Sequence, residues 1–292
     1  MKLGAHSWLL ETRYALPEAM QRAKDIGYDG YELDIGNFGG SGLCLQVLPD
    51  RMQPDERASL KKSALDAALP FCSLCLGALW HYPIAAGDTP HAKRGVEIIL
   101  AAVPLAKELG ADCILLPLDQ PSGISDDQAW RATVRNLEPC VRLAEEVGIT
   151  LAVENVCSPF LVGATELARM VDEIASPACR VYYDVANNTW IGRDPIEEIL
   201  ELGTRIVRFH FKNRSSPRGT PGTETVSVGD AGIVPFEGVM SAIRSIGFDG
   251  YFVVEVPTLD KDADSIAREN LAALRTLIAQ PRGASPTVAQ PG

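Results

Sequence analysis

An α/β fold closed as a single (β/α)8 barrel is predicted by three features of this chain. Eight apolar strand-length runs alternate with eight helix-length runs between Leu3 and Ile278, and such alternation builds a parallel sheet covered by helices. Composition does not shift along those residues, so nothing marks a boundary between two domains. Finally, Ile26-Gly-Tyr-Asp-Gly-Tyr31 echoes Ile246-Gly-Phe-Asp-Gly-Tyr251, each passing from a helix end through a turn into a strand. That echo suits the first and last parts of a closed ring. The alternative is an open doubly wound sheet, but no G-x-G-x-x-G follows the first strand.

The elements follow in order. Leu3 to Trp8 reads as the first strand, and Leu16 to Ile26 as a helix with Pro17 in its first turn and Gly27 as its stop. Gly30 to Asp34 is the second strand, followed by a glycine-rich loop, Gly36 to Gly42, and a helix from Pro54 to Leu69. Phe71 to Ala78 is the third strand, ending at Trp80-His81-Tyr82-Pro83. A helix from His91 to Leu109 carries Pro104, which should kink it, and stops at Gly110. Cys113 to Leu118 is the fourth strand, and Asp126 or Asp127 caps a helix running to Val147. Ile149 to Asn155, Arg180 to Val185, Ile206 to Lys212 and Tyr251 to Val256 are strands five to eight. Helices at Ala164 to Ile174, from Asp194-Pro195, at Phe236 to Ile246 and at Ala263 to Ile278 alternate with them. The barrel domain is thus expected over residues 1–279. Residues 280–292, rich in Pro, Gly, Ser, Ala and Gln and without periodicity, are expected to be a disordered tail.

Composition excludes several functions. A net charge of −11 disfavours nucleic acid and anionic membrane as partners. The longest apolar run, around Phe71 to Trp80, is about half a membrane span, and the first residues carry no secretory signal. Seven scattered cysteines, an odd number, predict free thiols and a reducing, cytoplasmic setting. Cys72-Ser-Leu-Cys75 matches C-x-x-C but lies in a strand run, where residues three apart should point to opposite faces.

The chemistry begins at Arg205-Ile-Val-Arg-Phe-His-Phe-Lys-Asn213. Period two puts Val207, Phe209 and Phe211 on one face and Arg208, His210 and Lys212 on the other. The same parity turns Glu154, Asp184 and Glu255 toward the lumen near the C-terminal ends of the fifth, sixth and eighth strands. Active sites of such barrels lie at that rim. Three carboxylates meeting there repel one another unless a cation joins them. With His210 they offer three oxygens and one imidazole to a single divalent ion, Mn²⁺ first, with Mg²⁺ or Co²⁺ also suited. Ordinary buried ion pairing with Arg208 or Lys212 is the bland alternative. His6, Glu32, Trp80, His81, Asn187, Lys212 and Arg214 are the candidates for binding substrate. Glu32, with Asp34, is open between supporting the site, binding substrate hydroxyls and forming a salt bridge at the rim. The long connection from Arg214 to Gly232 leaves the strand of His210 and reads as a lid or binding loop, with a flexible linker as the alternative.

Val-Glu-Asn at 153–155, Tyr-Tyr-Asp-Val-Ala-Asn-Asn at 182–188, His-Phe-Lys-Asn at 210–213 and Val-Val-Glu-Val at 253–256 resemble the xylose-isomerase-like TIM barrels, the sugar-phosphate isomerases and epimerases. That group includes ketose 3-epimerases, L-ribulose-5-phosphate 3-epimerase, hydroxypyruvate isomerase and inosose dehydratase. The resemblance covers roughly residues 70 to 256. It implies that Glu154, Asp184, His210 and Glu255 hold the metal. It further implies that Glu154 and Glu255 act as acid and base on a ketose through a metal-bound cis-enediolate. Asn187, where many ketose 3-epimerases and inosose dehydratases carry His, brings the chain closer to the ribulose-phosphate epimerase pattern. Trp80-His81-Tyr82 and the segment Thr220 to Val228 depart from that pattern, and Arg214 and Arg218 are the cations left to meet a phosphate. Three readings therefore stand: an epimerase or isomerase of a free or phosphorylated ketose, a lyase on a keto-sugar or keto-inositol, and a non-catalytic carbohydrate-binding subunit. Homo-oligomerisation stays open.

Overall fold

The computed structural model describes residues 1–36, 45–258 and 262–280. Among the described residues there are ten strands: β1 (Lys2–His6), β2 (Gly30–Asp34), β3 (Phe71–Cys75), β4 (Cys113–Pro117), β5 (Thr150–Glu154), β6 (Cys179–Asp184), β7 (Ile206–Phe211), β8 (Asn213–Arg214), β9 (Thr225–Val226) and β10 (Tyr251–Val254). All but β8 and β9 close into one barrel in the order β1-β10-β7-β6-β5-β4-β3-β2. Every seam is parallel, and the ring is sealed where Lys2 to Ala5 pair with Tyr251 to Val254. The helices are α1 (Ser7–Leu10), α2 (Leu16–Ile26), α3 (Pro54–Asp66), α4 (Pro90–Leu109), α5 (Asp126–Val147), α6 (Ala164–Ile174), α7 (Asn187–Trp190), α8 (Pro195–Leu202), α9 (Phe236–Ser245) and α10 (Ala263–Ala279). Two of them, α1 and α7, are single turns at the ends of β1 and β6. The remaining eight are the helical ring that the sequence predicts. Among the described residues no helix is long and apolar enough to cross a membrane.

Alternation of side chains builds two cores. Outward residues such as Leu151, Val153, Val181, Tyr183, Phe209 and Phe252 pack beneath the helices. Inward residues Cys72, Cys75, Cys113, Leu115, Ala152, Tyr182 and Val253 fill the lumen. The lumen is tight enough that a Cβ on Gly30 would lie 2.8 Å from Cys72 Cβ and 2.9 Å from the Tyr251 ring. At the barrel floor Arg208 bonds Asp112 at 2.5 Å.

Several local expectations are corrected. The first strand stops at His6, whose ring accepts the Trp8 N–H and caps α1. The third stops at Cys75, and a 3-10 turn over Gly77–Trp80 replaces the rest of the expected run. The helix expected to reach Leu69 ends at Asp66. Ser125, not Asp126 or Asp127, caps α5, its hydroxyl accepting the Gln128 N–H. The long helix expected to reach Leu109 is present as α4, with Pro104 inside it. Two irregularities in register matter more. Opposite the step from Tyr31 to Glu32, β3 advances from Phe71 to Ser73, so one extra residue enters the strand. Strict alternation breaks there, and Cys72 and Cys75 both lie in the lumen instead of on opposite faces. Likewise β7 advances from Ile206 to Arg208 opposite Val181 and Tyr182, and Val207 packs on the lumen cluster, apart from Phe209 and Phe211. The six described cysteines are free. Residues 37–42 of the glycine-rich loop and residues 281–292 of the expected tail lie outside the described residues.

The long connection after β7 is built as a hairpin. Asn213 and Arg214 of β8 pair antiparallel with Val226 and Thr225 of β9, and Ser216 bonds Thr223 at 2.8 Å across the turn.

The loop after β3 is fixed from outside by α4. A Cβ on Gly95 would lie 2.2 Å from the Tyr82 carbonyl oxygen, and the Tyr82 ring stacks on His91 at 6.0 Å. Gly95→Ala is therefore expected to destabilise the fold by about 1–3 kcal/mol through overpacking. A urea midpoint that matches the wild type would show that the loop yields without cost.

Candidate metal centre

Strand parity delivers four side chains to one point in the barrel mouth. Glu154 ends β5, Asp184 ends β6, His210 is the penultimate residue of β7, and Glu255 follows β10, where its N–H donates to the Phe211 carbonyl at 3.1 Å. One ligand atom from each lies within 4.8 Å of all the others, and all four residues are buried. The order of strands places Asp184 and His210 between the two glutamates.

The four side chains are held by hydrogen bonds and ion pairs from surrounding residues. The Asp184 Oδ1 accepts the N–H groups of Ala186 and Asn187, both at 2.7 Å. Its Oδ2 is buried and accepts no well-directed hydrogen bond, although Lys212 Nζ lies 2.6 Å away. Asn155 braces the same strand end, accepting the Asp184 N–H at 2.7 Å and donating to the Asp184 carbonyl at 2.8 Å. His210 Nδ1 faces Glu154 Oε1 at 2.9 Å and Glu255 Oε2 at 3.3 Å, while Nε2 faces Glu32 Oε1 at 2.6 Å. Glu32 is in turn gripped through its other oxygen by the hydroxyls of Ser73 at 2.5 Å and Tyr182 at 2.8 Å.

The electrostatics are those of an acidic pocket short of positive charge. Glu32, Glu154, Asp184 and Glu255 face two basic side chains, His210 and Lys212. Burial lowers the basicity of His210, but the charges of Glu255 and Glu32 outweigh it and raise its pKa well above the ordinary value. Glu154 is pushed up to about 7, first by burial and then by the Glu255 charge, against the pull of His210. Burial would also raise Glu255, yet Lys212 and His210 overcome it and hold that carboxyl below its usual range. Even with both basic groups charged, the four ionised carboxylates exceed them by two.

A divalent cation fits this deficit. The donor set is three carboxylate oxygens and one imidazole nitrogen, with Asp184 Oδ2 as an acceptor lacking a bond, and it suits an oxygen-preferring metal. Were Nδ1 to take the ion, Nε2 would carry the proton and donate to Glu32 Oε1. Such a carboxylate–histidine pair fixes the ring and raises its basicity as a ligand. The buried group can hold a metal ion.

The substrate candidates separate by position. Glu32 is fully buried beside His210 with its oxygens engaged, a placement that suits support of the His210 ring. His6 is also fully buried. Its Nδ1 accepts the Trp8 N–H at 3.0 Å, its Nε2 lies 3.8 Å from Glu32 Oε1, and its ring meets His210 edge-on at 5.7 Å. Burial lowers its pKa. Asn187 donates from its amide to the Asn155 carbonyl at 2.9 Å. Lys212 ion-pairs with both Asp184 and Glu255. Trp80, 43% exposed, and the exposed His81 stand at the 3-10 turn after β3, and Arg214 stands on β8. Sequence reasoning missed Asn155, Ser73 and Tyr182 as supports. The inward parity of Tyr182 was the available signal; Ser73 was hidden by the extra residue in β3.

A comparison with known proteins agrees with the barrel. Residues 20–277 match the family model for a xylose isomerase-like TIM barrel. Over 261 residues the chain is 27% identical to the putative L-ribulose-5-phosphate 3-epimerase SgbU of Escherichia coli K12, covering 88% of this chain and 89% of that one. It is 23% identical over 271 residues to the L-ribulose-5-phosphate 3-epimerase UlaE of the same strain, with 91% of each covered. Among solved structures, L-ribulose 3-epimerase superposes with a TM-score of 0.75 at 20% identity over 95% of each chain. The D-allulose 3-epimerase of Methylomonas sp. gives 0.76 at 17% identity, covering 95% of this chain and 98% of that one. These superpositions show the shared fold.

Replacing Glu32 by Gln keeps an acceptor for His210 but removes the charge. Titration calorimetry with Mn²⁺ is expected to show affinity reduced about 10- to 100-fold with thermal stability retained; equal affinity would remove Glu32 from the metal site.

Proposed function

We propose that this chain, which belongs to the xylose isomerase-like TIM barrel family, is a divalent-metal-dependent epimerase that inverts a carbinol carbon beside the carbonyl of a ketose. One observation carries the reading. Glu154 and Glu255 stand at the ends of strands on either side of Asp184 and His210 in the barrel mouth, so two carboxylates face one centre from opposite sides. Carboxylates so placed can take a proton from one face of a carbon and return one to the other. The named activities of the curated relatives support the same class of reaction.

Glu154, Asp184, His210 and Glu255 would hold the ion, Mn²⁺ by preference. Bound there, a divalent cation supplies Lewis acidity that polarises the ketone and its neighbouring hydroxyl and acidifies the C–H between them. Glu255, kept ionised by Lys212, takes that proton from one face. Glu154 delivers a proton to the other face, and the carbon is inverted. The reverse reaction exchanges their roles. Lys212, held between Asp184 and Glu255, is placed to steady the enediolate oxygen charge. The cytoplasmic setting expected from the free cysteines belongs to this proposal as well.

Incubation of the Mn²⁺-loaded protein with ketoses in deuterated water tests it. The expected product is the epimer carrying one deuterium at the inverted carbon. Loss of water or another group from the substrate would assign a lyase instead. Glu154→Gln and Glu255→Gln are each expected to lower kcat by about 10²–10⁴-fold, and chelation should abolish turnover.

A further inference from the structure

On the helix side of the barrel wall one carboxylate gathers the segment that follows the Asp184 strand. Glu198 of α8 is 4% exposed and accepts hydrogen bonds from four places in the chain. Its Oε2 takes the Tyr183 hydroxyl of β6 at 2.7 Å and the Asn188 amide of α7 at 2.6 Å. Its Oε1 takes the Ala164 N–H at the start of α6 at 3.3 Å and the Nε–H of the half-buried Arg193. The arginine backbone closes the same knot, its N–H donating to the Asn188 carbonyl at 3.0 Å. Space for that guanidinium is left at Gly163. The glycine backbone is extended, with φ −155°, so its torsion suits any residue. A Cβ there, however, would lie 2.2 Å from Arg193 Nη2 and 2.6 Å from its Nε. A buried carboxylate is tolerated when donors answer it, as four do here, and the chemistry proposed above makes no use of it.

The two groups on Oε2 bracket Asp184 in the chain. Tyr183 precedes it, and Asn188 follows it by four residues. Between them lie the Ala186 and Asn187 N–H groups that hold Asp184 Oδ1, both at 2.7 Å. The Asn187 amide also reaches the carbonyl of Asn155 at 2.9 Å, the residue after Glu154, so the same turn touches two strand ends of the cluster. The hairpin after β7 leans on it too, since the Arg218 N–H donates to the Trp190 carbonyl at 2.8 Å. Helix α7 has only four residues, too few to keep its shape without outside support. Tyr183 can supply that support because its ring is fixed in the outer core, edge-on to Phe209 at 6.1 Å.

We propose that Glu198 is a positioning residue of the metal centre, acting from outside the barrel through Tyr183 and Asn188 to fix the turn that aims Asp184. The hold on Asp184 follows from the geometry; its consequence for an ion rests on the reading of the four clustered side chains as a metal site. With the turn fixed, Asp184 Oδ1 keeps its two N–H bonds and Oδ2 stays 3.9 Å from His210 Nδ1. Without the clamp the carboxylate loses its fixed direction while its strand stays in the barrel.

Two measurements on the full-length protein test this, the first without metal. Residue-resolved amide exchange should show the Ala186 and Asn187 N–H groups exchanging about tenfold faster in Glu198→Gln and about fivefold faster in Tyr183→Phe, which loses one hydrogen bond. Amides of β2 and β3 should keep their wild-type rates. The second measurement is calorimetry with Mn²⁺, in which affinity should fall about tenfold in Glu198→Gln and about fivefold in Tyr183→Phe. Gly163→Ala, which pushes Arg193 off the carboxylate and leaves Glu198 itself intact, should shift both readings the same way. Tyr183→Phe keeps its packed ring and serves if Glu198→Gln fails to fold. Wild-type exchange at Ala186 and Asn187 in the variants, or exchange that quickens uniformly around the barrel, would overturn the inference. So would loosened amides with undiminished Mn²⁺ affinity. Local loosening in a protein whose wild type binds no Mn²⁺ would refute the metal reading and leave the hold on Asp184 standing.

Discussion

The imidazole of His210 spans the barrel mouth between two carboxylates, Glu154 at 2.9 Å on Nδ1 and Glu32 at 2.6 Å on Nε2. That bridge joins the packed lumen to the reactive rim. Below it, Ser73 and Tyr182 fix Glu32; above it, the ring is aimed by Glu32 toward the point where Asp184 and Glu255 converge. A ring free to rotate would present either nitrogen, and the four donors would no longer share a centre. The fully buried Glu32 is tolerated because three donors answer its charge, which is the condition for keeping a carboxylate inside a protein.

Much of this was legible in residue types and their parity. Apolar runs of strand length, helix stops at Gly27, Gly110 and Gly148, and the inward turn of Glu154, Asp184, His210 and Glu255 all follow from period two and period 3.6. Parity failed where a strand holds one residue more than its neighbour. The extra residue in β3 turned both Cys72 and Cys75 inward and brought Ser73 to Glu32, and the one in β7 moved Val207 off the face of Phe209 and Phe211. A bulge depends on how two strands match, and neither strand alone announces it. Asn155 was overlooked for a related reason. It works through backbone atoms of the next strand, and such partners have no signature in sequence. Glu32 was recognised as belonging near the site, but its depth, which decides its role, comes only from packing.

The hairpin shows how a loop acquires chemistry from a scaffold. Its strands are two residues each, too short to be stable alone, and it is held by Asn213 at its root and by Trp190 at its flank. The side chains it carries are thereby placed relative to β7, whose His210 belongs to the metal centre.

The seam between β1 and β10 has a kinetic meaning. Lys2 to Ala5 cannot find their partners until Tyr251 to Val254 have left the ribosome, so the ring closes only when nearly the whole chain has been made. Contacts so distant in sequence slow folding. Glu255 follows that last strand directly, and the fourth ligand therefore arrives with the final seam. A chain that stops short of that seam holds three of the four clustered side chains on an unclosed sheet, and the complete cluster appears only with the finished barrel.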